Sequence, residues 1–240
     1  MASIFSLFHS YCKARLKPLG FAKHGNLWCR IVGDVYQGIC IEKSAMKTKI
    51  CNVDFGIVPL CSLIQYPDGV GQYRLDELWP LDSFNLDPVK KVISYNPKVV
   101  DAEEVMSKIK KGIEEYVLPM FEECGDCATS FDALIRLQYL IAERRKAVLD
   151  YLRLEDCSKI TPDEGIMLNE HIFFMALKNG DYDFAMKCLN LWKKLNVKYR
   201  IDWIDDLPLW IAKNDTVSIH NVLQSREEAS LKTLSFLSLA

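Results

Sequence analysis

The pattern of apolar and polar positions divides the chain into two parts with different periods. Between residues 27 and 58 the apolar residues follow the two-residue period of β-strands, and from residue 101 they follow the 3.6-residue period of α-helices. This predicts an α+β fold. We expect a small antiparallel sheet packed by an N-terminal helix and a following long helix, and then an all-helical C-terminal half. The predicted sheet domain covers 1–125, and a helical domain or extension packed on it covers 126–240.

Three strands are predicted in the sheet domain, over residues 27–32, 35–43 and 50–58. Gly33-Asp34 joins the first two as a two-residue hairpin, because glycine adopts positive φ without steric cost. In the third strand the apolar residues alternate with Asn52 and Asp54. We expect the apolar set to face the core, and the polar set to face solvent, a cleft or another layer.

Helices are predicted before and after this sheet in the sequence. The first covers about residues 3–17 and ends at a Pro-Leu-Gly breaker. Asp101 and Glu104 have the spacing of a capping box, and Pro119 is expected to kink or interrupt the helix that they begin. Further predictions are helices at 130–152, 161–178 and 182–195, one or two helices over 203–240 with Asn214-Asp215 as the point of separation, and a short strand at 89–95.

Composition excludes several classes of protein. Half of the residues are hydrophobic and 26% are charged, which is typical of a globular protein and not of a disordered one. The formal net charge of −2 gives no overall attraction to nucleic acid or to an anionic membrane. No apolar run approaches the ~20 residues that span a bilayer. We therefore expect a cytoplasmic protein with no nucleic-acid or membrane partner.

Charge is nevertheless uneven along the chain. Residues 1–50 carry eight Lys and Arg against Asp34 and Glu42, whereas residues 51–87 carry six acids against Arg74 alone. Because both segments belong to the predicted sheet domain, we favour internal charge complementarity. The alternative is a phosphate-binding face.

Nine cysteines are present, an odd number without the regular spacing of a secreted disulfide scaffold. The one CxxC pair, Cys124 and Cys127, lacks the two further ligands that a zinc site needs, so we predict no metal. Acidic neighbours should raise its thiol pKa values, which favours a structural role. Whether this pair is redox-active stays open.

No catalytic motif is recognisable, and we predict no cofactor. Glu42, Lys43 and Asp54 lie on adjacent predicted strands, as in a metal-dependent nuclease. Their order is wrong for that arrangement, however, and residues 42 and 43 point to opposite faces.

The remaining candidate is a polar patch on the non-core face of the sheet. Trp and Arg are costly on a sheet face unless they are covered or used for recognition. The alternative is a second core layer with an Arg30–Asp54 pair beneath the helical half. The candidate binding surface comprises Trp28, Arg30, Gln37, Lys43, Asn52, Asp54 and Arg74.

Three segments of this region also resemble a known family. They are Gly20-Phe21-x-Lys23-x-Gly25-x-x-Trp28-x-Arg30, Gln37-x-Ile39-x-Ile41-x-Lys43-Ser44 and Val53-Asp54-Phe55-Gly56-Ile57. Over residues 5–125 the chain is similar to a mostly bacterial family of uncharacterised proteins, domain of unknown function 4304. The sequence has Glu42 where the family often has Gln, and Asp54 where Asn is frequent. The resemblance implies an α+β domain without an established activity, and an association of some relatives with bacterial toxin systems as immunity or accessory proteins.

Two hypotheses about function follow. The first is a non-catalytic protein-binding module that holds a protein partner through its sheet face or its helical half. The second is a small-ligand-binding protein or enzyme with a polar pocket on the sheet face. This second hypothesis requires Arg30, Lys43, Asp54 and Arg74 to converge.

Overall fold

A computed structural model describes most of the chain and confirms the α+β class. A five-stranded antiparallel sheet in the order β1-β2-β3-β4-β5 is accompanied by an N-terminal helix and followed by a helical C-terminal half. The strands are β1 (Ala22–His24), β2 (Leu27–Val32), β3 (Val35–Lys43), β4 (Cys51–Pro59) and β5 (Tyr73–Arg74). The described residues are 3–43, 51–66, 72–78, 101–152, 160–197 and 201–239.

The three predicted strands are confirmed as β2, β3 and β4, the last displaced by one residue. Of the two edge strands, β1 was not predicted, and β5 lies in a segment, 72–79, whose sequence is compatible with either a strand or an irregular edge. Strand β1 pairs with β2 through a tight turn at Gly25, whose φ of 57° lies in the left-handed region that favours glycine. Its residues Lys23 and His24 carry no apolar alternation, so the sequence indicated a turn there. The strand predicted at 89–95 lies outside the described residues.

The helices follow the predicted boundaries to within a few residues, with one split. They are α1 (Ile4–Arg15), α2 (Ala102–Gly112), α3 (Leu118–Glu123), α4 (Cys127–Leu152), α5 (Pro162–Met167), α6 (Glu170–Lys178), α7 (Tyr182–Lys194), α8 (Leu207–Ala212) and α9 (Thr216–Thr233). A 3₁₀ turn, Ser235–Leu239, follows α9. The helix predicted at 161–178 is divided because the side chain of Asn169 caps a new helix by accepting from the backbone N–H groups of His171 and Ile172.

Helices α2 and α3 are continuous through a π turn at Ile113–Val117. Pro119 lies in the first turn of α3. Proline lacks an N–H group and crowds the preceding turn. The wider π turn directly before it is a common way for a helix to accommodate such a disturbance, so the predicted interruption takes the form of a local widening.

The main hydrophobic core lies between one face of the sheet and α1, α2, α3 and α4. We call this sheet face the inner face. Val53, Phe55 and Ile57 of β4 are fully buried there, as their alternation predicts. Leu134 of α4 and Ile172 of α6 belong to the same cluster, so the core contains residues from both sides of the predicted boundary at 125/126. The division into two domains stays a prediction.

The other side of the sheet, which we call the outer face, has its own smaller core. Leu27, Cys29 and Tyr36 form a buried cluster with Leu234, which directly follows α9. Phe236 packs on its margin. The end of the helical half therefore covers part of the outer face, and a separate cluster fills the space between α6, α7, α8 and α9.

The β2–β3 hairpin is attached to the junction between α3 and α4. Gly33 has φ 55°, and a Cβ atom placed on it would lie 2.5 Å from the carbonyl oxygen of Gly125. The adjacent Asp34 accepts a hydrogen bond of 2.8 Å from the backbone N–H of Cys127, the first residue of α4. An aspartate of the sheet thus caps a helix of the C-terminal half.

Among the described residues, no helix is long and apolar enough to cross a bilayer.

Candidate functional site

The strand register separates the predicted binding surface into two groups. Arg30 pairs with Gln37, and Gln37 pairs with Ile57, so these side chains share the inner face. Trp28 also lies on the inner face. The expectation that Trp28 and Arg30 share a face with Asp54 is therefore wrong, because β2 is apolar on both faces and its alternation could not reveal which one meets the main core.

Gln37 is fully buried and bridges the sheet to the end of α3. Its amide nitrogen donates to the carbonyl oxygens of Phe121 at 2.8 Å and Cys124 at 2.6 Å. Its amide oxygen accepts a 2.9 Å hydrogen bond from Nε of Arg30. The side chain satisfies carbonyl groups that a helix leaves unpaired at its C-terminus, so it has a structural role.

Arg30 is half-buried between the sheet and the segment after α1. Besides its bond to Gln37, it donates from Nη1 to the carbonyl oxygen of Leu19 at 2.6 Å, and its guanidinium lies 4.5 Å from the ring centre of Phe21. Burial lowers the pKa of Arg30, and Glu122 opposes this effect. Two of its five N–H donors are used in these bonds, so three are left without an assigned acceptor among the described residues.

Trp28 is anchored to α1. It is 4% exposed, and its Nε1 donates to Nδ1 of His9 at 3.2 Å. Burial, followed by the charge of Lys23, lowers the pKa of His9. The imidazole is therefore neutral near pH 7, with Nδ1 as its acceptor.

The second group lies on the outer face at the other end of the sheet. Asp54 stands opposite Arg74 in the β4–β5 register, and Nη2 of Arg74 donates to Oδ1 of Asn52 at 3.4 Å. The side chain of Lys43 lies outside the described residues. Since Arg30 occupies the inner face, the predicted Arg30–Asp54 pair does not form, and the pocket that needed Arg30, Asp54 and Arg74 to converge is excluded by the register.

A small cluster of possible metal ligands accompanies this outer group. Ligand atoms of Cys40, Glu42 and Asp54 lie within 4.8 Å of one another. The described residues provide only these three ligands, whereas a closed zinc site uses four. The cation of Arg74 is also opposite Asp54, so the cluster does not by itself indicate a metal site.

The CxxC cysteines are both buried. Cys124 caps the end of α3, and Cys127 begins α4. Burial raises the pKa of Cys124 to about 11, and a hydrogen bond with Cys61 together with burial raises that of Cys127 further. Thiols that remain protonated and inaccessible are poor nucleophiles, which supports the structural role that the acidic neighbours indicated.

Ser62 and His171 form a pair that superficially resembles a nucleophile and its base. Oγ of Ser62 lies 3.0 Å from Nδ1 of His171 and donates to the carbonyl oxygen of Pro59 at 2.9 Å. The single hydroxyl proton is thus used by Pro59, and Nδ1–H of His171 must be the donor to Ser62. An activated serine needs the opposite direction, so this pair is structural.

A large groove follows α1 on the side of the β1–β2 hairpin. It has a volume of about 1090 Å³, and the 3₁₀ turn after α9 forms its far wall through Phe236 and Leu237. The lining polar residues are Ser6, His9, Ser10, Lys13, Lys17, Lys23 and Arg30. We call this feature the cationic groove. Among the described residues that line it there is no Asp or Glu.

The structure shows which of the eight Lys and Arg residues in 1–50 form internal ion pairs and which line a surface groove. Arg15 pairs with Glu114 at 2.9 Å, which is an internal ion pair, although its acid comes from the π turn before α3 and not from residues 51–87. Lys13, Lys17 and Lys23 are exposed and line the cationic groove together with half-buried Arg30. The other three lysines have side chains outside the described residues. Internal pairing thus accounts for one of the five described cations, and four contribute to the groove.

A second groove of about 1030 Å³ adjoins the first at His9 and Lys23, which line both. It passes the turn of the β1–β2 hairpin and includes Glu42. The positive potential is therefore concentrated on the α1 side of the hairpin.

Sequence reasoning found Arg30 but missed the groove as a whole. A signal was available: Ser6, Ser10, Lys13 and Lys17 recur at intervals of four, three and four residues, which places them on one face of a helix. Only the apolar face of α1 was considered. Lys23 had no recognisable signal, because it belongs to the unpredicted strand β1.

Comparison with known proteins gives one match. No curated protein and no solved structure matches the chain. Residues 12–123 match the family described as Domain of unknown function (DUF4304), and this segment contains the last turn of α1, the whole sheet, and helices α2 and α3. The resemblance found in the sequence is thereby confirmed: residues 12–123, just under half of the chain, match the DUF4304 family.

Proposed function

We propose that this chain is a non-catalytic protein-binding module and that its cationic groove holds an acidic segment of a protein partner. The supporting observation is the lining of the groove: Lys13, Lys17, Lys23 and Arg30 with no carboxylate among the described lining residues. Glu122 is close enough to act on the pKa of Arg30, but it does not line the groove. Like charges brought together on one surface repel one another, so a groove of this kind favours an anionic ligand.

The shape of the groove supports an extended occupant. The polar residues of α1 and the turn after it, from Ser6 to Lys17, cover about 17 Å along the helix axis at 1.5 Å per residue. This length matches about five residues of an extended peptide. Phe236 and Leu237 provide an apolar wall, so we propose a segment in which acidic residues alternate with apolar ones.

The buried aromatics argue against single-stranded nucleic acid as the occupant. Proteins that bind single strands stack bases on accessible aromatic rings. Phe21 and Trp28, which line the groove, are only 2% and 4% exposed, and among the described lining residues only half-buried Phe236 offers a phenyl or indole ring with an accessible edge.

Two further parts of this proposal concern the setting of the protein. The seven described cysteines are all buried thiols, which supports a reducing compartment such as the cytoplasm. The family resemblance supports a bacterial origin and a role as an immunity or accessory protein beside a toxin system. A non-catalytic role is supported by the orientation of the Ser62–His171 hydrogen bond.

The test is a binding titration followed by fluorescence anisotropy. The probe is a labelled ten-residue peptide in which Glu alternates with Leu, compared with the same peptide carrying Gln in place of Glu. We expect saturable binding of the acidic peptide that weakens as salt is added, because the attraction between exposed charges is screened. The double variant Lys13→Glu/Lys17→Glu should weaken binding at least about tenfold.

A matched control keeps the total charge change the same. Lys187 and Lys232 are exposed lysines outside the groove, so Lys187→Glu/Lys232→Glu should alter affinity by less than about twofold. Equal losses in both double variants would indicate a non-specific effect of net charge and would contradict the proposal, as would the absence of binding to the wild-type protein.

A further inference from the structure

A second, smaller pocket lies where the sheet meets the helical half, away from the cationic groove. It has a volume of about 300 Å³ and opens at the 3₁₀ turn Leu60–Ser62 that follows β4. Tyr36 and Val58 line it from the outer face of the sheet, and Glu170, His171 and Arg226 line it from α6 and α9. Pockets of this volume are at the lower limit for small-molecule sites, which span ~300–1,000 Å³.

The positive side of the pocket is rigidly built. Arg226 donates from Nε to the carbonyl oxygen of Cys61 and from Nη2 to that of Ser62, both at 2.8 Å. Its guanidinium lies 4.5 Å from the ring centre of Phe174. These bonds use two of its five N–H donors, so three stay without an assigned acceptor among the described residues.

The negative side is provided by Glu170, the first residue of α6. Burial raises the pKa of Glu170, and the charge of Arg226 opposes the rise. Each of the two charges acts on the pKa of the other group, and Asp202 also acts on that of Arg226. Among the described residues, Glu170 and Arg226 do not form an ion pair within 4.0 Å of each other. A half-buried carboxylate and a half-buried guanidinium thus line one small pocket without neutralising each other directly.

Neutral polar groups complete the lining. His171 donates from Nδ1 to Ser62, which leaves its Nε2 as a hydrogen-bond acceptor. Leu63 has φ 64° and ψ 89°, an uncommon conformation for a residue with a side chain, and such conformations cluster at ligand sites.

We propose that this pocket binds a small zwitterion of the α-amino acid class. Its carboxylate would accept from Arg226, and its ammonium group would donate to Glu170. Because a zwitterion carries both charges a few bonds apart, it satisfies two oppositely charged groups that line the same cavity without contacting each other. The inference is independent of the cationic groove.

The test is isothermal titration of the full chain at pH 7 with each of the standard L-amino acids. Acetate and ethylammonium are titrated in parallel as probes that carry only one of the two charges. We expect at least one amino acid to bind at least about tenfold more tightly than either of these probes.

Two variants separate the proposed contact from a general effect on folding. Glu170→Gln keeps the shape of the side chain and should weaken amino-acid binding at least about tenfold without weakening acetate binding, since Arg226 is retained and a nearby negative charge is removed. Glu228→Gln, at an exposed position of α9, should bind as the wild type does. Equal affinity for acetate and the amino acids, or no heat of binding up to about 10 mM, would overturn the proposal and indicate that the pocket holds only water.

Discussion

Replacing Gln37 with leucine tests the bond between the sheet and the helices. The substitution keeps the volume of the side chain closely, so the loss of packing is small. It removes two amide hydrogen bonds to carbonyl oxygens at the end of α3 and one from Arg30. Each of these hydrogen bonds contributes about 1 kcal/mol net to stability. The bond from the charged Arg30 is given the same value, because the half-buried guanidinium can still be hydrated when Gln37 is removed. We therefore expect a loss of about 3 kcal/mol, a large part of the ~5–15 kcal/mol of a typical domain.

The assay is equilibrium unfolding in urea monitored by fluorescence and by circular dichroism. With a slope near 3 kcal/mol per M, the midpoint of Gln37→Leu should fall by about 1 M. Gln224→Leu, which changes the same residue type at an exposed position of α9, should stay within about 0.5 kcal/mol of the wild type. A loss below 1 kcal/mol for Gln37→Leu would refute the reasoning.

Gln37→Glu distinguishes hydrogen-bond donation from packing. The carboxylate can still accept from Arg30, but it cannot donate to the two carbonyl oxygens. Its protonated form can donate once, so folding should raise its pKa above the unfolded value of about 4.3. The stability of Gln37→Glu relative to that of the wild type should therefore be greatest below about pH 4 and should fall as the pH rises above that value. A pH-independent loss would contradict this account.

Three further predictions use other features of the same fold. In urea unfolding, Gly33→Ala should lose about 2 kcal/mol more of the free energy of unfolding than Gly25→Ala does. Both glycines have positive φ, but only a Cβ at Gly33 would meet a backbone carbonyl oxygen, at 2.5 Å. Equal losses in the two variants would argue against the clash. Burial lowers the pKa of His171 from 6.5 to about 4, so the unfolded state binds more protons between these values. Stability should fall by up to about 3 kcal/mol as the pH decreases from 6.5 to 4, and His171→Gln should flatten this profile. Cys124 and Cys127 are buried, so they should resist alkylation by iodoacetamide at pH 8 in the folded protein and react in urea, as measured by mass spectrometry. Rapid labelling of the folded form would show that they are accessible thiols.

The sequence was sufficient for elements whose signals are local. Strands β2 and β3 were predicted with their observed bounds, because apolar alternation and the Gly33-Asp34 turn fix the hairpin. The helix caps at Asp101 and Thr161 were recognisable because a capping side chain lies within three residues of its partner.

Features that depend on long-range pairing were beyond the sequence pattern. The face that Trp28 and Arg30 occupy is set by the register of three strands, and β2 has apolar residues on both faces. Gln37 was named for a surface although its partners are 84 and 87 residues away. The zwitterion pocket brings together Ser62, Glu170 and Arg226 from three distant segments, which no local spacing could indicate.

The attachment of the hairpin to the α3–α4 junction also has a consequence for the order of synthesis. The amide of Gln37 finds its acceptors only after residue 124 has been made, 87 residues later. At a ribosomal rate of roughly 5–20 residues per second, this delay is about 4–17 s. During that interval the nascent hairpin must keep this amide in contact with water, so we expect the ribosome-bound N-terminal segment to remain open to chaperones and to close only when the start of α4 emerges from the exit tunnel.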